Sequence, residues 1–224
     1  MISRILVLLL CIFSINGCTT DSKNPYVDAA VLDPAILTIP PSPNSDPWQQ
    51  DIEAVIRAQR RATEKDREAA RQQQPVRPEM VAGIITPTIN RAEHPKTFAL
   101  LDNAGASCGA AVRKAKEFWN TERPFRRDSR IKALFSGTNN GAYPSGHTAC
   151  SRVYAEILGI LFPAQRPALR QRADEVAWNR VIAGVHYPHD LKGGEQLAFW
   201  ILGALSATED FQTDLTAARQ ELKQ

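Results

Sequence analysis

Phe98, Leu101, Gly105, Cys108, Val112 and Trp119 recur at three- and four-residue steps, which predicts an amphipathic helix. The small residues Ala104, Gly105, Gly109 and Ala110 run beside that row and would let a neighbour approach closely. A second helical row starts at Ser145 and continues through Cys150, Tyr154, Ile157 and Leu161. A third runs from about Pro167 to Val185 through Leu169, Ala173 and Val176. After "HYPHD" comes "LAFWILGALSA", apolar nearly all round and free of charge; it is too short to span a bilayer and predicts a central core helix. Upstream, Trp48 to Gln74 is helical in composition, with Ile52, Val55, Ile56 and Ala62 on one side. That stripe fades into "TEKDREAARQQQ", predicting one peripheral helix with a solvated charged face, which "PVRPEM" breaks. Few strand signals compete. The pattern predicts an all-α fold, a single compact helical bundle over residues 48–224.

Ahead of the bundle, residues 18–47 carry six prolines, including "IPPSPNSDP", and show no usable periodicity, so they read as a tether or a surface arm. The chain begins with "MISRILVLLLCIFSINGC", a short basic start at Arg4 and an apolar run from Ile5 to Ile15. Residues 1–17 have the shape of a secretory signal peptide. The ending Ile15-Asn16-Gly17-Cys18 resembles the bacterial lipoprotein cleavage box, which implies a lipid on Cys18. Thr19 after it implies the outer membrane, on the periplasmic side of the cell envelope; an ordinary secretory signal is the alternative. Once residues 1–17 are removed and Cys18 is acylated, Cys108 and Cys150 remain, and the sequence leaves open whether they pair or stay as buried thiols. A net charge of +3 on 224 residues is too small for a nucleic-acid surface. Self-association into a homo-oligomer is left open.

Each strong apolar row, extended by one step, runs into a charged or ionisable group. The row ending at Val112 leads to Lys116, the row of Cys150 and Tyr154 leads back to His147, and the row of Val176 leads to Arg180. Taken singly, each has a plain structural explanation: a snorkelling cation, a hydrogen-bonded core histidine, and an N-cap in Ser145-Gly146. Together they are harder to dismiss, because a buried, unpaired cation costs several kcal/mol, roughly. Such groups are expected to share an anion or carboxylates.

The full set is Lys116, then Arg123-Pro124, then Pro144-Ser145-Gly146-His147, then Arg180, His186 and Asp190. This resembles the tripartite signature of the type 2 phosphatidic acid phosphatase and vanadium haloperoxidase superfamily. "GAYPSGHT" is similar to the "GSYPSGHT" stretch of bacterial class A non-specific acid phosphatases. Ala142 and Asn179 depart from the pattern where serines are usual, and His189 is extra to it, read here as an exposed or hydrogen-bonding neighbour. The resemblance implies the helical bundle of that superfamily and a broad-specificity acid phosphatase that hydrolyses phosphorylated small molecules. It implies His186 as nucleophile, His147 as general acid and Asp190 as orienter of the nucleophile. Lys116, Arg123, Ser145, Gly146 and Arg180 would hold the phosphate, with no metal and no cofactor. That chemistry suits the residue types: forked guanidinium donors match phosphate oxygens, and a helix N-terminus favours an anion. An envelope lipid or isoprenoid phosphate phosphatase of the same superfamily is the alternative. A metal site built from His147, His186, His189 and Asp190 would leave the three cations without purpose. A vanadate-binding haloperoxidase and a structural lipoprotein with a decayed site fit the chain less well.

Overall fold

The computed structural model describes residues 24–74, 76–85, 88–136 and 139–223. The signal segment and Cys18 lie outside the described residues. Among the described residues all regular structure is helical.

The stretch from Trp48 to Gln74 does not fold as one helix. α1 (Asp46–Arg61) stops at Ala62, whose backbone is extended, and Thr63 then starts α2 (Glu64–Gln72). Thr63 and Asp66 form a reciprocal cap: Asp66 N donates to Thr63 Oγ1 at 3.2 Å, and Thr63 N to Asp66 Oδ2 at 2.8 Å. The charged run therefore belongs to a separate helix. α1 is not peripheral either, since Ile52, Val55 and Ile56 are buried in one cluster with Val181, Ile182 and Tyr187.

After the single turn of α3 (Glu79–Ala82) comes α4 (Pro95–Trp119), which opens on Pro95 and ends where Asn120 turns left-handed at φ 40°. The described part of the N-terminal arm lies along α4. Lys114 Nζ and Trp119 Nε1 donate to the arm carbonyls of Ala30 and Pro34 at 2.7 and 3.2 Å. Asp28 and Asp33 each cap a short 3-10 turn, accepting from the amides of Ala30 and Ala35, and Leu32 and Leu37 then enter the core. "DAAVL" followed by "DPAIL" repeats every five residues, a spacing that matches neither a helix nor a strand, so the arm looked featureless as sequence.

α5 (Pro124–Arg127) is one turn, followed by α6 (Gly146–Leu161), α7 (Arg166–Ile182), α8 (Pro188–Ser206) and α9 (Glu209–Glu221). α9 packs on α4, and its Glu221 carboxylate accepts from the amides of Lys96 and Thr97 at 2.8 and 2.9 Å, capping α4 from another helix. The central helix is α6, not the "LAFWILGALSA" stretch of α8. Every residue of α6 from Thr148 to Gly159 is buried, whereas Phe199 on α8 is 52% exposed. Polar residues do not bar α6 from the centre, because they are partnered. Arg152 donates to Asp174 and Glu195, and Glu156 accepts from Arg166 and Arg170 at 3.0 and 2.7 Å.

Cys108 and Cys150 form a disulfide between α4 and α6, with Cα atoms 5.8 Å apart. The bond closes a 42-residue separation and thereby restricts the unfolded chain. Replacing both cysteines by alanine is expected to cost about 2–4 kcal/mol of stability. Thermal unfolding of the variant, and of the wild type with and without reductant, checks this.

Candidate active site

α4 from Asp102 to Lys116, the residue that caps α5, the N-terminal half of α6 and the turn between α7 and α8 border a cavity of about 370 Å³. Lys116, Arg123, Gly146, His147 and His186 line it. Ser145, Arg180 and Asp190 are fully buried behind its wall.

Lys116 sits in the last turn of α4, and its Nζ donates to the carbonyls of Gly141 and Ala142 at 2.6 and 2.9 Å. Arg123 is the residue before Pro124 and caps α5. Its guanidinium is held by Asn140 O, Asn140 Oδ1, Gly141 O and Val185 O at 3.0, 2.7, 3.1 and 2.7 Å. Arg180 donates through Nη2 to Ala70 O at 2.6 Å and its guanidinium lies 5.6 Å from the Phe135 ring centroid, while its Nε and Nη1 are buried without a hydrogen-bond partner among the described residues. None of these three cations pairs with a carboxylate among the described residues. Burial, then the Arg123 charge, pulls the Lys116 ammonium down to about 7. Burial lowers Arg123 and Arg180 to about 10 each, which leaves both charged at neutral pH.

Ser145 caps α6: its Oγ accepts from Thr148 N at 3.3 Å and from the Thr148 hydroxyl at 2.9 Å. The first amides of a helix lack intrahelical partners, so those of Gly146 and His147 add donors where Gly146 borders the cavity. Ser145 N donates to Asp190 O at 2.9 Å, which ties the start of α6 to α8. The glycine pair in "LKGGEQ" makes this approach feasible. A Cβ on Gly194 would overlap Ser145 O, and one on Gly193 would overlap the Tyr143 ring.

His186 lies in the turn before α8 and is buried. Its Nδ1 stands 3.0 Å from Asp190 Oδ2 and its Nε2 stands 3.2 Å from Arg123 Nη1. Asp190 Oδ2 also accepts from Tyr187 N at 2.9 Å, so the carboxylate caps α8 and orients the imidazole at once. Burial favours the neutral acid at Asp190, yet the bonds and charges of His186 and His189 outweigh it and hold the carboxyl well below the usual range. His186 is pushed well below ordinary histidine by burial, with Arg123 and Lys116 adding to it against the pull of Asp190. Its ring is therefore neutral, with the proton on Nδ1 and the Nε2 lone pair turned to Arg123 Nη1.

His147 borders the same cavity. Its Nε2 lies 2.9 Å from both Gln73 O and Gln74 O, so that nitrogen carries a proton directed at the segment after α2. Burial and the Arg180 charge lower it to about 3, which keeps the empty site's imidazole neutral. An anion in the cavity opposes both effects.

The model of the PAP2 superfamily matches residues 99–213, a span that takes in every group from Lys116 to Asp190. The chain belongs to that superfamily. Over 98% of its length it is similar to the non-specific acid phosphatase of Salmonella typhimurium, at 28% identity and across 92% of that protein. It is 34% identical to the acid phosphatase of Zymomonas mobilis over 50% of this chain and 44% of that one. In fold it is similar to a crystal structure of a bacterial vanadium-dependent iodoperoxidase, with TM-score 0.55 and 18% identity over 75% of this chain. The chain spans about half of that structure, 52%, and the likeness is one of fold alone.

Within this PAP2 site, several contributors escaped the sequence. Asn140 braces Arg123 and directly precedes "GAYPSGHT", so proximity to that motif was the available signal. Gln73 and Gln74 reach His147, and Ala70 reaches Arg180, from a charged helix that had no visible link to the motifs. Among the described residues no group of three or more His, Cys, Asp or Glu side chains is arranged to hold a metal ion.

The Lys116 position predicts how anions bind. Below pH about 7 the ammonium is charged and the cradle complete; above it the free site loses that charge. Competitive inhibition by inorganic phosphate is expected to weaken as pH rises from 6 to 9, by up to about tenfold per unit above the Lys116 transition. Phosphate itself becomes more negative across that range, which works the other way, so a falling affinity reads out the protein's cation. Inhibition constants measured across this range check it.

Proposed function

We propose that the protein hydrolyses phosphate monoesters in two steps without a metal ion, with the phosphoryl group carried on His186. That it is a phosphatase of the acid type follows from its superfamily and from relatives that bear that name. The observation that carries the finer reading is the set of three buried cations, unpaired by any described carboxylate, beside a neutral histidine whose Nδ1 is held by Asp190. A phosphate dianion in the cavity would satisfy Lys116 and Arg123 and take up the free donors of Arg180.

In the first step the His186 Nε2 lone pair attacks phosphorus and the bond to the ester oxygen breaks. Asp190 stabilises the phosphoimidazolium through Nδ1. His147 already holds one proton on Nε2 against Gln73 and Gln74; the incoming phosphate charge lets Nδ1 take a second, which passes to the departing alcohol. In the second step neutral His147 takes a proton from water, the water oxygen bonds to phosphorus, and the bond to Nε2 breaks to release phosphate.

Part of the cavity wall is apolar, formed by Val76, Ala106, Val112, Cys150 and Tyr154. That wall supports the second reading, in which the alcohol belongs to an envelope lipid or isoprenoid phosphate. Rates on an aryl phosphate, a nucleotide and a lipid phosphate separate the two.

Activity is expected to survive chelators and to be blocked by vanadate; loss with chelator, restored by a divalent ion, would exclude the histidine route. His186→Ala is expected to abolish turnover and the acid-labile phosphoenzyme. His147→Ala is expected to lose roughly 10²–10⁴-fold on an alkyl phosphate and less on an aryl phosphate, whose leaving group scarcely needs a proton. Quenched-flow trapping of labelled enzyme distinguishes the roles: label that persists in His186→Ala but vanishes in His147→Ala reverses them.

We further propose that the protein sits on the periplasmic face of the outer membrane through a lipid on Cys18. Cys18→Ser is expected to move it from the membrane fraction to the soluble one with its activity intact, as fractionation and mass analysis of the N-terminus would register.

A further inference from the structure

Asp190 spends only one carboxylate oxygen on His186 and on the cap of α8. Its other oxygen, Oδ1, is buried without an aligned hydrogen-bond donor among the described residues, so only a neighbouring charge can compensate it. What faces it is His189, with Nε2 3.2 Å away. On the far side of that ring, Nδ1 meets Asp51 Oδ2 of α1 at 2.5 Å. Stacking on Tyr187, at 5.0 Å between ring centroids and 13° between planes, fixes the orientation of the imidazole. His186, Asp190, His189 and Asp51 thus form one continuous chain from the cavity to α1.

A neutral imidazole has one donor nitrogen and one acceptor, so a ring with a carboxylate at both nitrogens is doubly protonated. Burial works against that charge, but the Asp190 and Asp51 carboxylates prevail and hold His189 up to about 9. The other groups near the ring are Tyr187 and Tyr143, together with Glu122 and Arg127 from the segment after α4. His189, Glu122 and Arg127 border a second cavity of about 370 Å³ that shares no lining residue with the first.

We propose that His189, clamped by Asp51, is a positioning residue for phosphoryl transfer: it fixes the Asp190 carboxylate so that Oδ2 stays aligned with His186 Nδ1, and it balances the charge of that carboxylate. The proposal rests on His186 being the nucleophile. Once His186 carries phosphate, the four groups alternate in sign along the chain, plus, minus, plus, minus. Without His189, Asp190 keeps a buried oxygen that nothing compensates, and its carboxylate is free to turn away from the nucleophile.

The test compares wild type, His189→Ala, His189→Gln, Asp51→Asn and His186→Ala as full-length enzymes. His189→Ala is expected to lower kcat about 10- to 100-fold, with KM changed less than about twofold because the ring does not touch the anion. His189→Gln, which can offer a neutral amide donor to Oδ1, is expected to recover part of that loss. Asp51→Asn removes one of the two carboxylates that keep the ring charged, so the alkaline limb of the kcat profile is expected to move to lower pH. Imidazole ¹⁵N resonances supply a readout independent of turnover: His189 is expected to be doubly protonated at pH 7 in wild type and to lose its second proton at lower pH in Asp51→Asn. A neutral His189 at pH 7, or wild-type kcat in His189→Ala, overturns the proposal alone. So does a loss of kcat that only tracks a lower Tm, with the alkaline limb unmoved and no recovery in His189→Gln. Turnover retained by His186→Ala overturns this proposal together with the nucleophile reading on which it rests.

Discussion

Three cations removed from water, none in an ion pair with a carboxylate among the described residues, set the terms for this protein. Lys116, Arg123 and Arg180 are all buried, and among the described residues they donate to backbone carbonyls, one asparagine and the His186 ring. Carbonyl oxygens fix where such groups point but do not neutralise them. Burying such charges costs stability, and on the proposed reading a bound anion would offset that cost. The two unpartnered nitrogens of Arg180 are the clearest sign of that imbalance.

The rest of the fold holds those charges against their mutual repulsion. Arg123 is fastened by Asn140 and Gly141 on one side and Val185 on the other, so the loops before α6 and before α8 are joined through a single guanidinium. Ser145 N bonded to Asp190 O then sets the start of α6 against the start of α8. Gly193 and Gly194 allow that contact by leaving no Cβ in the way. α6 runs back from this point through the middle of the bundle, pinned to α4 by the disulfide and to α7 by the buried Glu156 with its two arginines. Displacing α6 would therefore move Gly146 and His147, so packing far from the cavity bears on its geometry.

Protonation in the site is likewise a collective property. Burial and like charge keep His147 and His186 neutral and bring Lys116 to about 7, while Asp190 stays ionised. On the proposed reading, an arriving phosphate would favour the charged forms of Lys116 and His147. Substrate binding and proton uptake would then be linked, a physical basis for preferring acid over alkaline conditions that does not depend on the histidines alone.

The sequence by itself determined the helical class, the rows that make α4, α6 and α7, and the residues that carry charge into the core. These were legible because a 3.6-residue period and a cation at the end of an apolar row are local signals. It did not determine that Trp48–Gln74 divides at a Thr63–Asp66 cap, that α6 is the central helix, or that Cys108 and Cys150 bond. Nor did it reveal that Ala70, Gln73 and Gln74 reach the site. Asp51 and His189 are 138 positions apart, and neither carries a mark of the other. Their meeting depends on how α1 packs against the start of α8. A period along the chain records which face of a helix is buried; which other face it meets is decided by three-dimensional packing, where partners are chosen by shape and charge and not by separation in sequence.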